Sequence, residues 1–181
     1  NQNGGIYNLP LAANVEEQEA TVYGKDALEF NIDKGPIFEW VVSLAALPTD
    51  VAELYFGVCN AYVKGRLVAA DEGPTAHAFF VFDGSGICTI HTDDAGAVDN
   101  NAIATGVTLT ASTTVRHVYK IDMTTAADVL FYIDGVRVGS ATTFDLSAGS
   151  LSFQPMAACY KAGGAGVGTL YLDTFRAWSK R

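Results

Sequence analysis

Three histidines, one acidic loop and a set of glutamates that stops early are the groups in this chain that could do chemistry. His77, His91 and His117 are the only histidines, and none is followed by a second ligand at the spacing of a zinc site. Asp93-Asp94 with Asp99-Asn100-Asn101 is the best cation candidate, because Ca²⁺ takes several carboxylate and amide oxygens from a loop. The competing reading of Asp93, Asp94, Asp99 and Asn100 is a turn whose side chains cap their own backbone. Asp71, Glu72 and Asp83 fall in other loops, and no Glu follows Glu72. No cofactor other than that Ca²⁺ is expected. No G-x-S-x-G elbow is present, and Gly163-Gly164-Ala165-Gly166-Val167-Gly168 has neither a Lys-Ser/Thr pair nor a following helix, so it is a turn and not a phosphate cradle.

Composition narrows the classes further. The 181 residues are 49% apolar and 17% charged, which suits one packed domain and excludes disorder. No run of about 18 apolar residues offers a membrane span. A formal net charge of -9 argues against a nucleic-acid partner, since that affinity comes from Lys and Arg displacing counterions. Cys59, Cys88 and Cys159 are widely spaced within apolar runs and read as three buried thiols, with a reducing origin implied. The chain opens at Asn1 with neither the basic region nor the apolar stretch of a signal peptide, so a processed or truncated start is expected.

The elements that must carry these groups are strands. β-branched and aromatic runs bounded by Gly, Asp, Asn and Pro recur along the chain, and helical periodicity is nearly absent. Strands are expected at 20–23, 27–32, 37–44, 54–60, 77–82, 87–92, 115–123, 129–134, 136–138, 151–160 and 168–178, with long loops at 63–75 and 93–105. Residues 1–19 read as an extended arm before a single sandwich domain spanning 20–181. Asp134-Gly135 suits a two-residue type I′ hairpin, pairing Ile133 with Val136 and Phe131 with Val138. A second hairpin is expected to turn at Gly84-Ser85, pairing Phe82 with Ile87 and His77 with Thr92. That register sends His77 and His91 to opposite faces of their sheet. Trp40 is placed in the core, while Tyr55, Tyr62, Tyr132 and Tyr171 are candidate surface contacts.

The run from Val129 to Val138, with Tyr132-Ile133-Asp134-Gly135 at its centre, resembles the Y-x-D-G hairpin of concanavalin A-like lectins, laminin-G-like domains and β-glucanases. Leu170 to Trp178 looks like the closing D-x-x-R-x-W strand of the same superfamily, carried here by Asp173, Arg176 and Trp178. The resemblance implies an all-β fold: a two-sheet antiparallel jelly-roll β-sandwich of concanavalin A-like type. Retaining glucanases of that group carry E-x-D-x-x-E on one strand, which sets two carboxyls about 5 Å apart. Phe79 to Phe82 and Cys88 to His91 offer no such pair, so a protein that is not an enzyme is expected.

Ala104 to Leu109, His117 to Asp122, the same hairpin and Gly166 to Leu170 form a second series, which resembles jelly-roll proteins encoded among the head genes of tailed bacteriophages. It implies a structural protein decorating the exterior of a virion capsid. The implied partners are the major capsid protein, further copies of the chain as a dimer or trimer, and a surface glycan, with no nucleic acid and no membrane. The alternative is a non-catalytic, lectin-like carbohydrate-binding domain.

Overall fold

The computed structural model describes residues 6–50, 52–65, 74–96, 99–148 and 151–179. Among these, thirteen strands run in the order β1 (Tyr7–Leu11), β2 (Gln18–Tyr23), β3 (Phe30–Asn31), β4 (Ile37–Ala46), β5 (Glu53–Cys59), β6 (Ala76–Phe82), β7 (Ile87–Asp94), β8 (Asp99–Thr108), β9 (His117–Asp122), β10 (Leu130–Ile133), β11 (Val136–Val138), β12 (Ser152–Lys161) and β13 (Gly168–Trp178). One 3-10 turn spans Ile32–Lys34. The strands form two antiparallel sheets. The first has the order β1-β13-β4-β9-β10-β11, and the second β2-β12-β5-β6-β7-β8 with β3 also on β12. No described helix is long and apolar enough to cross a membrane.

Strand alternation explains the core. Phe38, Trp40, Val42 and Leu44 of β4 point inward with Tyr119 and Ile121 of β9, and meet Leu54, Phe56 and Val58 of β5 and Phe80 and Phe82 of β6. Phe56 lies at the centre, 4.8 Å from the Tyr119 ring, 5.8 Å from Phe80 and 6.1 Å from Trp40. Each such wholly buried side chain contributes roughly 1.5–3 kcal/mol. Cys59, Cys88 and Cys159 are buried free thiols, and Trp40 is a core residue.

Several expected boundaries move for identifiable reasons. In the N-terminal stretch, Tyr7–Leu11 pairs with β13 inside the chain and sends Leu9 and Leu11 into the core; Pro10 is accommodated because β1 is an edge strand. The strand expected at 27–32 shrinks to Phe30–Asn31. Lys25 and Asp26 adopt positive φ before it, and the Asn31 side chain accepts from the Asp33 amide at 2.8 Å to start the 3-10 turn. The loop expected at 93–105 is largely strand. β8 begins at Asp99 as a half-exposed edge, with positive φ at Ala102 and Gly106, and its polar composition disguises it. The Gly-rich stretch after β12 is a turn, as expected, and its carbonyls are used. Lys161, wholly buried, donates to the carbonyls of Ala12 (2.6 Å), Asn14 (2.7 Å), Gly166 (3.0 Å) and Gly164 (3.2 Å), tying that turn to the N-terminal stretch.

The β10–β11 hairpin has the expected register, with Asp134 at φ 50° and Gly135 at φ 79°. The β6–β7 hairpin does not. Phe82 pairs with Cys88, Phe79 with His91 and His77 with Asp93, because the loop is one residue longer and closes with Gly86 at φ 76°. A one-residue slip exchanges the faces of every side chain on the strand, so His77 and His91 share a face and are not on opposite ones.

Candidate functional site on the outer face of the second sheet

The second sheet is buried on both sides over β5 and β6, and its outer face carries a second cluster of Tyr55, Cys59, Phe79, Val81, Met156, Ala158 and Tyr160. Pairing lines these up in rows. Ala158, Tyr55, Val81 and Thr89 form one; Met156, Gly57, Phe79 and His91 the next; Gln154, Cys59, His77, Asp93 and Asp99 a third. The Tyr55 ring meets Phe79 edge-on at 5.5 Å, and His77 stacks on Phe79 at 5.2 Å. Gly57 sits mid-row because a Cβ there would fall 2.1 Å from the Ala78 carbonyl oxygen.

Part of this face is roofed by the connection leaving β5. Tyr62 stacks on Tyr23 at 4.6 Å and donates to Glu19 at 2.9 Å, while the Tyr55 hydroxyl donates to the Gly65 carbonyl at 3.3 Å. Lys64 pairs with Glu17 at 2.9 Å. At the other end of the face the sheet opens into a cavity of about 200 Å³ lined by Asp50, Ala52, Glu53, Val81, Asp83, Thr89, His91 and Ala102. Glu53 and His91 are 4% and 1% exposed, so two chemically active side chains are held in fixed positions at its wall.

The histidines on this face are neutral near pH 7. Burial pushes His91 down to about 4, against a smaller upward pull from Asn101. Burial also lowers His77, whose Nδ1 lies 2.8 Å from the Pro74 carbonyl oxygen and must donate to it. His77 Nε2 is then a buried lone pair with no hydrogen-bond partner among the described residues. Cys59 is no nucleophile here, since burial holds its thiol at about 12. His117 lies on the other sheet, bonded at 2.6 Å to Asp134.

The acidic candidates are brought together only in part. Asp93 and Asp99 are opposite partners on β7 and β8. Asp93 accepts from the Ala95 amide at 2.8 Å and Asp94 from the Gly96 amide at 2.7 Å, while Asn100 donates to Thr92 at 3.2 Å. These are the bonds of self-capped strand ends. No group of three or more metal-ligating side chains stands among the described residues. Asp83 belongs to the cavity, but its Oδ1 accepts from Ser85 and Ile87 within the turn; Asp71 and Glu72 lie outside the described residues. Of the tyrosines expected as surface contacts, Tyr55 is instead buried within the cluster on this face, Tyr62 packs against that cluster, and Tyr132 lies on the first sheet beneath Lys120. Sequence reasoning missed Glu53 and Thr89. Alternation along Glu53-Leu54-Tyr55 already places Glu53 beside Tyr55, away from the core.

No protein-family model matches this sequence, and no curated protein is similar to it. Solved structures are similar in fold. The carbohydrate recognition domain of Emp46p, in a potassium-bound form, superposes with a TM-score of 0.60 at 9% identity, over 97% of this chain and 89% of that one. Alginate lyase A1-II′ of polysaccharide lyase family 7, in complex with product, gives 0.61 at 11% identity over 97% and 79%. The fold is the concanavalin A-like jelly roll. A structure described with the endo-acting O-glycanases that human gut microbiota express to initiate mucin breakdown gives 0.62 at 15% identity over 98% and 80%.

These likenesses correct one expectation. The expectation that a chain without a glutamate pair is not an enzyme does not hold, since concanavalin A-like structures of this shape include alginate lyases. The missing pair removes one mechanism, that of retaining glucanases, and not catalysis as such. The likenesses favour the lectin-like alternative over the capsid expectation. The residues behind the latter fall mostly in β8, β9, the β10–β11 hairpin and β13 of the sandwich.

Proposed function

We propose that this protein binds a carbohydrate on the outer face of its second sheet, in the cavity walled by Glu53 and His91. The observation carrying the reading is that these two side chains, almost wholly buried, line one open cavity with Thr89 on a rigid sheet. Rigid placement of a few polar groups beside an apolar floor is what orients a sugar, and Val81 and Ala52 supply the apolar part. The sugar-handling proteins that share the fold support the assignment. A glycan array followed by calorimetry tests it. His91→Ala and Glu53→Gln should each weaken the best ligand about tenfold or more; unchanged affinity in both would overturn the reading.

A catalytic reading of the same cavity is favoured by one further observation. A histidine held neutral near pH 7 and a carboxylate lining the same cavity are the groups proton transfer needs. On this reading the bound glycan is cleaved, and reducing ends accumulate with wild type but not with His91→Ala. Binding without any chain shortening would leave the binding function and refute the catalytic one.

A further inference from the structure

Three side chains beside the cavity stand in the order hydroxyl, imidazole, amide. Thr89 and His91, two apart on β7, share a face and both line the cavity, with the half-buried threonine in front of the buried histidine. Thr89 Oγ1 lies 3.2 Å from His91 Nε2; its other contact, the Val81 carbonyl oxygen, is longer at 3.4 Å. Across the ring, His91 Nδ1 lies 3.3 Å from Asn101 Oδ1 of β8. Asn101 Nδ2 donates to Asp99 Oδ2 at 2.6 Å, and since a carboxylate oxygen only accepts, that bond turns the amide oxygen to the ring. Nδ1 therefore carries the proton, and the Nε2 lone pair faces the threonine hydroxyl.

The backbone is irregular at the third member. Between the pairs Ile90–Ile103 and Thr92–Asn100, β7 has one residue, His91, and β8 has two, Asn101 and Ala102. That is a β-bulge, and Ala102 holds φ 56° within it, a left-handed conformation unfavourable for alanine, directly beside the residue whose amide meets the imidazole. A nucleophile within reach of a base, and a base oriented by a third group, is the arrangement of acyl transfer, whereas cleavage of a glycosidic bond calls on carboxylates. Resting on the carbohydrate reading above, we propose that Thr89 is a nucleophile activated by His91, with Asn101 as a positioning residue, and that the cavity removes ester-linked acetyl groups from a bound sugar. Thr89 Oγ1 bonds to the acetyl carbonyl carbon as its proton passes to His91 Nε2. The ester C–O bond breaks, and that proton goes to the sugar oxygen. Water then attacks the acetyl-threonine, giving its proton to His91 Nε2, and the proton returns to Thr89 Oγ1 as acetic acid leaves.

The test uses p-nitrophenyl acetate and an acetylated xylo-tetraose. Wild type should release acetate from both, and peptide mass spectrometry after a rapid acid quench should find an acetyl group on Thr89. Thr89→Val, of nearly the same shape, should abolish release and labelling, while Thr89→Ser should still be acetylated. Asn101→Ala should lower kcat about tenfold to a hundredfold with KM little changed, and Asn101→Asp, which retains an acceptor oxygen, should recover most of it. Release that survives in Thr89→Val, an acetyl group found only on other residues, or no acetate from the acetylated sugar overturns the proposal, and glycan binding on the array then still stands. Acetylation of Thr89 by p-nitrophenyl acetate in a protein that binds no glycan, acetylated or not, overturns the carbohydrate reading and the sugar substrate with it, and leaves the nucleophile.

Discussion

Two hairpins in this molecule begin with the same dipeptide, Asp83-Gly84 and Asp134-Gly135, and form different turns. At β10–β11 both central residues take positive φ, and the Asp134 carboxylate reaches across to His117 and to the Val118 amide at 2.8 Å. At β6–β7 the Asp83 carboxylate folds back on its own turn, accepting from the Ser85 and Ile87 amides at 2.9 and 3.1 Å, and positive φ is deferred to Gly86. What separates them is what touches them. The Leu109 amide donates to the Gly86 carbonyl at 2.8 Å, and a Cβ on Gly84 would fall 2.8 Å from the Pro48 carbonyl oxygen. Gly135 has open space around it. A free turn follows its local sequence, whereas a docked turn follows its neighbours, and here the docked one decides which face His77 and His91 occupy.

The largest test of that contrast is Gly86→Ala. Its Cβ would lie 2.1 Å from the Leu109 carbonyl oxygen at φ 76°, so clash adds to left-handed strain and the loss should be about 3–5 kcal/mol by urea unfolding. A cost no greater than that of Gly135→Ala would erase the distinction.

Acid should separate the hairpins next. Folded His91 refuses the proton that the unfolded chain accepts, its value being pushed from 6.5 to about 4 by burial. The stability it contributes is therefore present above pH 6.5 and is lost as the pH falls toward about 4, up to about 3 kcal/mol in all. Unfolding midpoints measured across that window should flatten in His91→Gln.

Gly135→Ala comes third. With positive φ but nothing within 4 Å, it should cost about 1–2 kcal/mol, and Gly135→Asn less. The smallest effect belongs to Asp134. Burial raises its carboxyl, but the His117 hydrogen bond and the Val118 amide outweigh this and leave it below its ordinary 3.8. Its contribution is present above pH 3.8 and fades as pH falls through the depressed value. Hydrogen exchange at the Val118 amide should become acid-sensitive only there, and Asp134→Asn should remove the sensitivity.

Much of the sandwich was legible because the signals are local. The bounds of β13 at Gly168 and Trp178, the register of β10–β11, the core position of Trp40 and the buried thiols all follow from alternation, turn chemistry and apolarity. β8 was not legible, because an edge strand needs no apolar alternation and Asp99-Asn100-Asn101 reads as loop. The candidate site was legible least. Its residues come from β5, β6, β7 and β8 and from the loops before β5 and after β6, and the site exists only once the pairing of those strands is set.

The sequence by itself determined an all-β chain, its apolar strand faces and a free type I′ turn, since each depends on residues within a few positions of one another. Only the tertiary structure decided that His77 and His91 share a face, that Glu53 joins His91 at one cavity, and that Asp99 and Asn101 fix an imidazole across a strand pair. The physical reason is parity. Side chains alternate with period two, so one residue added to a turn reverses a whole strand, and the contacts of Gly86 and Leu109 that add it lie more than twenty positions apart in the chain.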